Sequence, residues 1–413
     1  MMAPLLSLAD GLTRAASLSA LFCLMALCCC QRPAPPLPDP HTEQLSKVAA
    51  YEAREVEETV ISAQYDRLFR KLQQTRGFSG TVLLAQKGKI LHAGAYGYAH
   101  YHNKDSLSIN HNFQLASVSK IFTATAVLML YEAGKIELDE YVCHYLPEFP
   151  YDNITIRHLL NHRSGLCRYM ALADQYWQQS TSLSNRDVLC LFAEHQPALW
   201  FTPGSKFNYI NTNYALLATV VEEVSGEPFN EFLEKHIFRP LGMKHTIAYV
   251  HQRGPAIPLQ AHGYKRGWKG YFPVGHDYID GVLGDKGIYS NVMDLYRFDR
   301  ALYEGKLIAL ATQQLAFAPG SPELITHNYG FGYRMKTRYP RVVYHFGWWR
   351  GFVSCFIRDL EQQKTLIVLC NRDNLRKSIS FWEIFHFQPK TANNKLRKAA
   401  VSALPSHENY IAK

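Results

Sequence analysis

Ser117-Val118-Ser119-Lys120 opens directly into Ile121-Phe122-Thr123-Ala124-Thr125-Ala126-Val127-Leu128-Met129-Leu130. The run is apolar, lacks glycine and is long enough for a buried helix. A helix beginning near Ser117 sets Lys120 one turn further on, on the same face. A hydroxyl and an amine then stand side by side at a helix N-terminus. An alcohol is a weak nucleophile until a neighbouring base takes its proton. A lysine serves as that base when burial favours its neutral amine. The positive end of the helix dipole favours an oxyanion at the serine. Alone, S-x-x-K is a short pattern, equally open to a serine cap beside a solvated lysine, and its meaning depends on the downstream segments.

Three of these supply context. Asn208-Tyr209-Ile210-Asn211-Thr212-Asn213-Tyr214 opens a second apolar helical run. Tyr209 and Asn211, two apart, point the same way in an extended segment. A phenol can carry a proton, and a carboxamide can both donate and accept at a substrate amide. His345-Phe346-Gly347 ends a strand-like run and is followed by Trp348-Trp349-Arg350-Gly351, with Gly347 permitting close approach at the strand edge. Gly284-Asp285-Lys286-Gly287 reads as a tight loop, catalytic-facing or purely structural.

Strand patterns cluster at the two ends of the chain. Residues 81–86 and 90–97 form a hairpin around Lys87-Gly88-Lys89, and 342–346, 352–357 and 365–370 return near the C-terminus. Between about 110 and 320 the pattern is mainly helical: 156–161, 213–224, 229–238 and 294–302, with 250–285 a Gly-, Pro- and aromatic-rich excursion. An amphipathic helix is expected over 46–75 and a last one over 375–387. The expected fold is therefore α+β: an antiparallel five-stranded sheet made by both ends, flanked by terminal helices, with an inserted helical lobe and a cleft between lobes.

In this order and spacing the motifs resemble the penicillin-recognising serine hydrolases, in particular the class C β-lactamase, DD-peptidase and esterase family. The resemblance spans about residues 76–372. It is supported by Phe113-Gln114-Leu115-Ala116 before Ser117, by His158-Leu159-Leu160-Asn161-His162-Arg163-Ser164-Gly165-Leu166, and by Thr202-Pro203-Gly204. It implies the β-lactamase/transpeptidase-like fold and an acyl-enzyme on Ser117. Lys120 would be the base partner, Tyr209 a proton shuttle and Asn211 the holder of the substrate amide. The backbone N–H groups of Ser117 and Trp348 would form the oxyanion hole. His345-Phe346-Gly347 takes the position of Lys-Thr-Gly in class C β-lactamases, so the charge and the hydroxyl that grip a β-lactam carboxylate are gone. Phe346, Trp348 and Trp349 suggest an apolar or bulky acyl partner. The resemblance thus implies a D-amino-acid peptidase or carboxylesterase rather than a β-lactamase proper. A catalytically silent module that binds cell-wall peptide is the competing class, and the intact Ser117, Lys120, Tyr209 and Asn211 argue against it.

Bulk properties agree. The 413 residues are 47% hydrophobic and 19% charged, enough for a sizeable core and against global disorder. The net charge of +9 is scattered, with no basic block and no nucleic-acid motif. No cofactor fingerprint appears, and His158 and His162, four apart, lack the glutamate of H-E-x-x-H, so neither cofactor nor metal is expected. The implied partner is a small peptide or ester, with the cell wall as one source.

Arg14 and the apolar stretch 15–27 suit a signal peptide, and Cys28-Cys29-Cys30 followed by a Pro-rich segment resembles a lipoprotein leader. Residues 1–30 are read as leader, 31–45 as linker, 46–390 as the hydrolase domain and 391–413 as a loosely held tail. The expected location is exported, either periplasmic or lipid-anchored, with membrane contact only through the leader. The five body cysteines, widely spaced and odd in number, are expected to be small buried hydrophobes.

Overall fold

Strand β1 (Gly80–Gln86) pairs with β2 (Lys89–Tyr96) on one side and with the last strand of the chain on the other. The computed structural model describes residues 40–390, Lys269 excepted, and the leader and tail expectations fall outside them. The chain divides into two units, residues 57–396 and the terminal segments. Of the terminal segments, only the helical backbone of residues 40–56 is described.

Short β3 (His327–Tyr329) and β4 (Arg334–Lys336) precede β5 (Tyr339–Trp349), β6 (Phe352–Asp359) and β7 (Lys364–Cys370). The order is β3-β4-β5-β6-β7-β1-β2, antiparallel throughout. The sheet therefore has seven strands where five are read from the sequence. The two extra strands hold three residues each, too few to show period-two alternation.

Alternation splits the sheet into two faces. Val82 and Leu84 join Tyr65, Phe69, Phe381 and Phe385 under helix α1 (Pro40–Arg76) and the C-terminal helical turns. Leu83, Phe356, Ile367 and Leu369 pack against the inserted lobe. Each fully buried Leu or Phe side chain contributes about 1.5–3 kcal/mol by leaving water.

The lobe is built on α2 (Ser119–Glu132), which is buried nearly all round. Around it stand α3 (Ile156–Leu160), α4 (Tyr169–Tyr176), α5 (Asn185–His195), α6 (Asn211–Ser225) and α7 (Val292–Tyr303). Helix α6 ends where Gly226 adopts φ +71°, a left-handed stop that glycine takes without strain. The 229–238 helix becomes a π turn from Glu234 onward. The 250–285 excursion is not wholly irregular: it contains a hairpin, Tyr264–Gly267 with Gly270–Pro273, and a 3₁₀ turn at Tyr278–Gly281. The 375–387 helix breaks into Leu375–Ser378 and Phe381–His386. The first helix starts at Pro40, inside the expected linker. Cys355 and Cys370 are buried, Cys143 and Cys167 are half-buried and Cys190 is exposed, so burial holds for only part of the set. No helix among the described residues is long and apolar enough to cross a membrane.

Candidate active site

The turn before α2 is the centre. Phe113–Gln114, Ile288–Ser290 and Ile247–Ala248 form a small sheet that anchors the turns flanking its strands. Leu115 N donates to Ile288 O at 2.8 Å, which sets the Ser117 turn against the Gly284–Gly287 turn. Ala116 is held at φ +48°, a conformation costly for a residue with a Cβ, and Ser117 follows in a single 3₁₀ turn ahead of α2.

Lys120 is fully buried, and its Nζ reaches three oxygens: Ser117 Oγ at 3.1 Å, Asn211 Oδ1 at 2.9 Å and the main-chain oxygen of Asp285 at 2.8 Å. Two of these are carbonyl oxygens and can only accept. The third is a hydroxyl and can also donate. A neutral amine spends its two N–H bonds on the carbonyls, and its lone pair is then left facing Ser117. The arrangement is that of a base matched to one hydroxyl.

Tyr209 lies beside this pair, with Lys120 Nζ 5.2 Å from its ring centroid. Its Oη is buried and has no hydrogen-bond partner among the described residues, so the expected Tyr209–Lys120 link is not made. Its backbone is tied down by His162. Asn208 N donates to His162 O at 2.9 Å, and Ile210 N donates to His162 Nδ1 at 3.2 Å. His162 is fully buried, and burial first, then the Lys120 and Arg334 charges, pushes it well below the usual imidazole range. Its role is to prop the Tyr209–Asn211 segment. His158 is spent in the capping box of α3 with Thr155.

On β5 alternation separates the third-motif residues. His345 faces the site and is fully buried, and Phe346 faces the other way. The Phe346 ring packs on Tyr344 at 5.0 Å and on Phe381 at 5.5 Å, in the terminal-helix layer. Phe346 therefore does not line the cleft, because strand neighbours cannot share a face. Gly347 makes room for the protein itself rather than for substrate: a Cβ there would strike the Leu115 carbonyl and the Ser354 hydroxyl. That closeness brings β5 against the Ser117 turn. Trp348 is 45% exposed at the end of the strand.

His345 Nδ1 donates to the Phe346 carbonyl oxygen at 2.9 Å, so Nε2 accepts from the Tyr329 hydroxyl at 3.1 Å. Burial, then Arg334 and Lys120, drives its pKa well below the usual range, and it carries no charge. The cation at this edge is Arg334, on the neighbouring strand, with Cζ 4.4 Å from the Tyr209 ring centroid. Sequence reading missed Arg334 because β4 has no pattern of its own. The only signal was position, eleven residues before His345.

The Asp285 turn and the β5–β6 turn are each locked by buried charge. Lys286 Nζ donates to Tyr169 Oη at 2.8 Å and lies 3.5 Å from Asp285 Oδ1. Burial lowers the Lys286 pKa against the raising effect of Asp285 and Asp280. Asp280 accepts from Trp349 Nε1 at 2.6 Å and from Arg350 Nε at 3.1 Å.

A cavity of about 240 Å³ opens beside Tyr209 and Asn211. A larger one, about 820 Å³, lies among Asn185, Glu222, Phe238 and Thr246, and none of the residues read from the sequence as catalytic lines it.

Comparison with known proteins agrees with this geometry. The β-lactamase family model matches residues 65–381. A penicillin-binding protein of Bacillus subtilis (strain 168) is 36% identical over 319 residues, 74% of this chain and 71% of that one. The chain belongs to the β-lactamase family. A D-aminopeptidase of Gluconobacter oxydans (strain 621H) is 26% identical, over 71% of this chain and 56% of that longer protein. The crystal structure of a penicillin-binding protein from Bacillus halodurans superposes with a TM-score of 0.66 at 26% identity, covering 81% of this chain and 98% of that one. The chain is a serine hydrolase of the β-lactamase and penicillin-binding-protein type.

Proposed function

We propose that Ser117 is the nucleophile and that the substrate is a peptide or ester of a D-amino acid. The observation that carries this is the Lys120 amine, held by two carbonyl oxygens with its third contact on Ser117 Oγ. In acylation Oγ attacks the substrate carbonyl and its proton passes to Lys120. The negative charge on the carbonyl oxygen is met by the main-chain N–H groups of Ser117 and Trp348. The bond to the leaving amine or alcohol breaks, and that group takes the proton, with Tyr209 as second carrier. Water then attacks the acyl-enzyme, giving the free acid and restoring Ser117. Donors of the oxyanion-hole kind each contribute about 2.7–4 kcal/mol in the transition state.

A neutral His345 in place of a lysine disfavours turnover of β-lactams. The leader and the Pro-rich segment fit an exported, membrane-tethered enzyme acting on cell-wall material.

The test is intact mass after exposure to a fluorophosphonate and, separately, to a fluorescent penicillin. Labelling by the fluorophosphonate that disappears in Ser117→Ala is the expected result. No adduct with either reagent would overturn the reading.

A further inference from the structure

Lys120 occupies Asn211 Oδ1, so what this amide has left for a ligand is its Nδ2 donors, which suit a carbonyl oxygen. The cavity beside it runs from Arg168 through Tyr169 and Met170 to Tyr209 and Thr212. Arg168 is the charged side chain of that wall, and the wall holds no carboxylate. Arg168 is exposed and forms no ion pair among the described residues. Arg334, over the Tyr209 ring, adds a second guanidinium with no carboxylate partner among them.

The carboxylates nearby are already engaged. Asp285 is fully buried, between Lys286 and the Tyr169 hydroxyl. Asp280 holds Trp349 and Arg350. Asp174, the one carboxylate on the helix of Tyr169 and Met170, accepts from the Tyr278 phenol. A free α-ammonium on the acyl group would meet positive charge and no anion.

Resting on the acyl-enzyme reading above, we infer that the acyl half of the substrate is N-substituted and anionic, with its carboxylate received by Arg168. Substrates with a free amino terminus are disfavoured. Rim charges of this kind act on association and selectivity more than on the chemical step.

The experiment uses three p-nitrophenyl esters of D-alanine with a succinyl, an acetyl or no substituent on nitrogen: anionic, neutral and cationic. The expected kcat/KM falls in that order, with roughly tenfold between the first two at low salt, shrinking as salt is added. Arg168→Glu reverses the order, and Arg168→Gln levels it, both with the fold kept because the side chain is exposed. Mass spectrometry of the acyl adduct on Ser117 runs in parallel. Adducts formed with all three esters at rates within about twofold, or an Arg168→Glu variant with an unchanged order, would overturn the inference alone. No adduct with any ester would overturn the acyl-enzyme reading beneath it.

Discussion

The Nζ of Lys120 sits 2.8 Å from the main-chain oxygen of Asp285, so the proposed base is oriented by a turn 165 residues away. That turn is itself held by the buried Asp285–Lys286 pair and by Tyr169. Removing the ammonium alone leaves a buried carboxylate without its charge partner. Lys286→Met is therefore expected to cost roughly 3–5 kcal/mol in urea unfolding and to lower kcat more than it raises KM. The double variant Asp285→Asn/Lys286→Met should recover much of that stability. Additive losses in the double variant would show that the two residues do not act as a pair.

His162 and His345 are both buried and neutral, and burial is the first cause in each case. The unfolded chain protonates both near the ordinary imidazole range, while the folded chain does not. Their contribution is whole above that range and is lost as pH falls below it. Below about pH 6 each should therefore make the fold less stable as the pH falls further. His345→Gln, which can still accept from Tyr329 and donate to the Phe346 carbonyl, should remove one share of this slope. An unchanged slope of unfolding free energy against pH would contradict the assignment.

Asp280 works in the opposite sense of charge. Burial raises its pKa, but the nearby His276 imidazole, bonds from Trp349 and the Asp277 N–H, and the Lys286 charge outweigh this and bring it down to about 2. Its contribution, about 2 kcal/mol, is present above pH 4 and lost as pH falls from 4 towards 2. Asp280→Asn should show that loss already at neutral pH and flatten the acid limb, measured by chemical denaturation at pH 7, 4 and 3.

Gly347→Ala would force a methyl group against the Leu115 carbonyl and the Ser354 hydroxyl, so β5 must draw away from the nucleophile turn. A 1 Å misplacement of reacting groups costs about a hundredfold in rate, and a loss of that order in fluorophosphonate labelling is expected. Gly226→Ala meets open space at φ +71° and should cost only about 1 kcal/mol, with labelling unchanged. Equal labelling by the two variants would show that Gly347 does not set the position of the nucleophile turn.

The candidate residues were legible because each belongs to a strongly patterned element. Ser117 and Lys120 open an apolar helix, Asn211 opens another, and His345 lies in a long strand that runs on to Trp349. The geometry between elements was not legible. Phe346 is turned away by a pleat that reading a tripeptide as one motif ignores. Arg334 enters the site from a three-residue strand with no periodicity to announce it. Tyr169 and Lys286 reach the centre only through long-range packing, and the Tyr209 hydroxyl lacks the bond to Lys120 that the family resemblance implied. The seven-stranded sheet exceeds the reading for the same reason as Arg334: short edge strands carry too few residues to show alternation.

The pairing of Gly80 with Cys370 has a consequence for the order of events in the cell. While synthesis is under way, Ser117 and Lys120 emerge with most of the chain still to come. The strand that shapes the nucleophile turn arrives only after residue 339, and the one that closes the sheet only after residue 364. A nascent chain stopped before that point holds the reactive pair but not the frame that aims it. Hydrolytic power is thus expected only once translation is nearly complete, and a C-terminal truncation through the last strand should silence the enzyme while leaving Ser117, Lys120, Tyr209 and Asn211 in place.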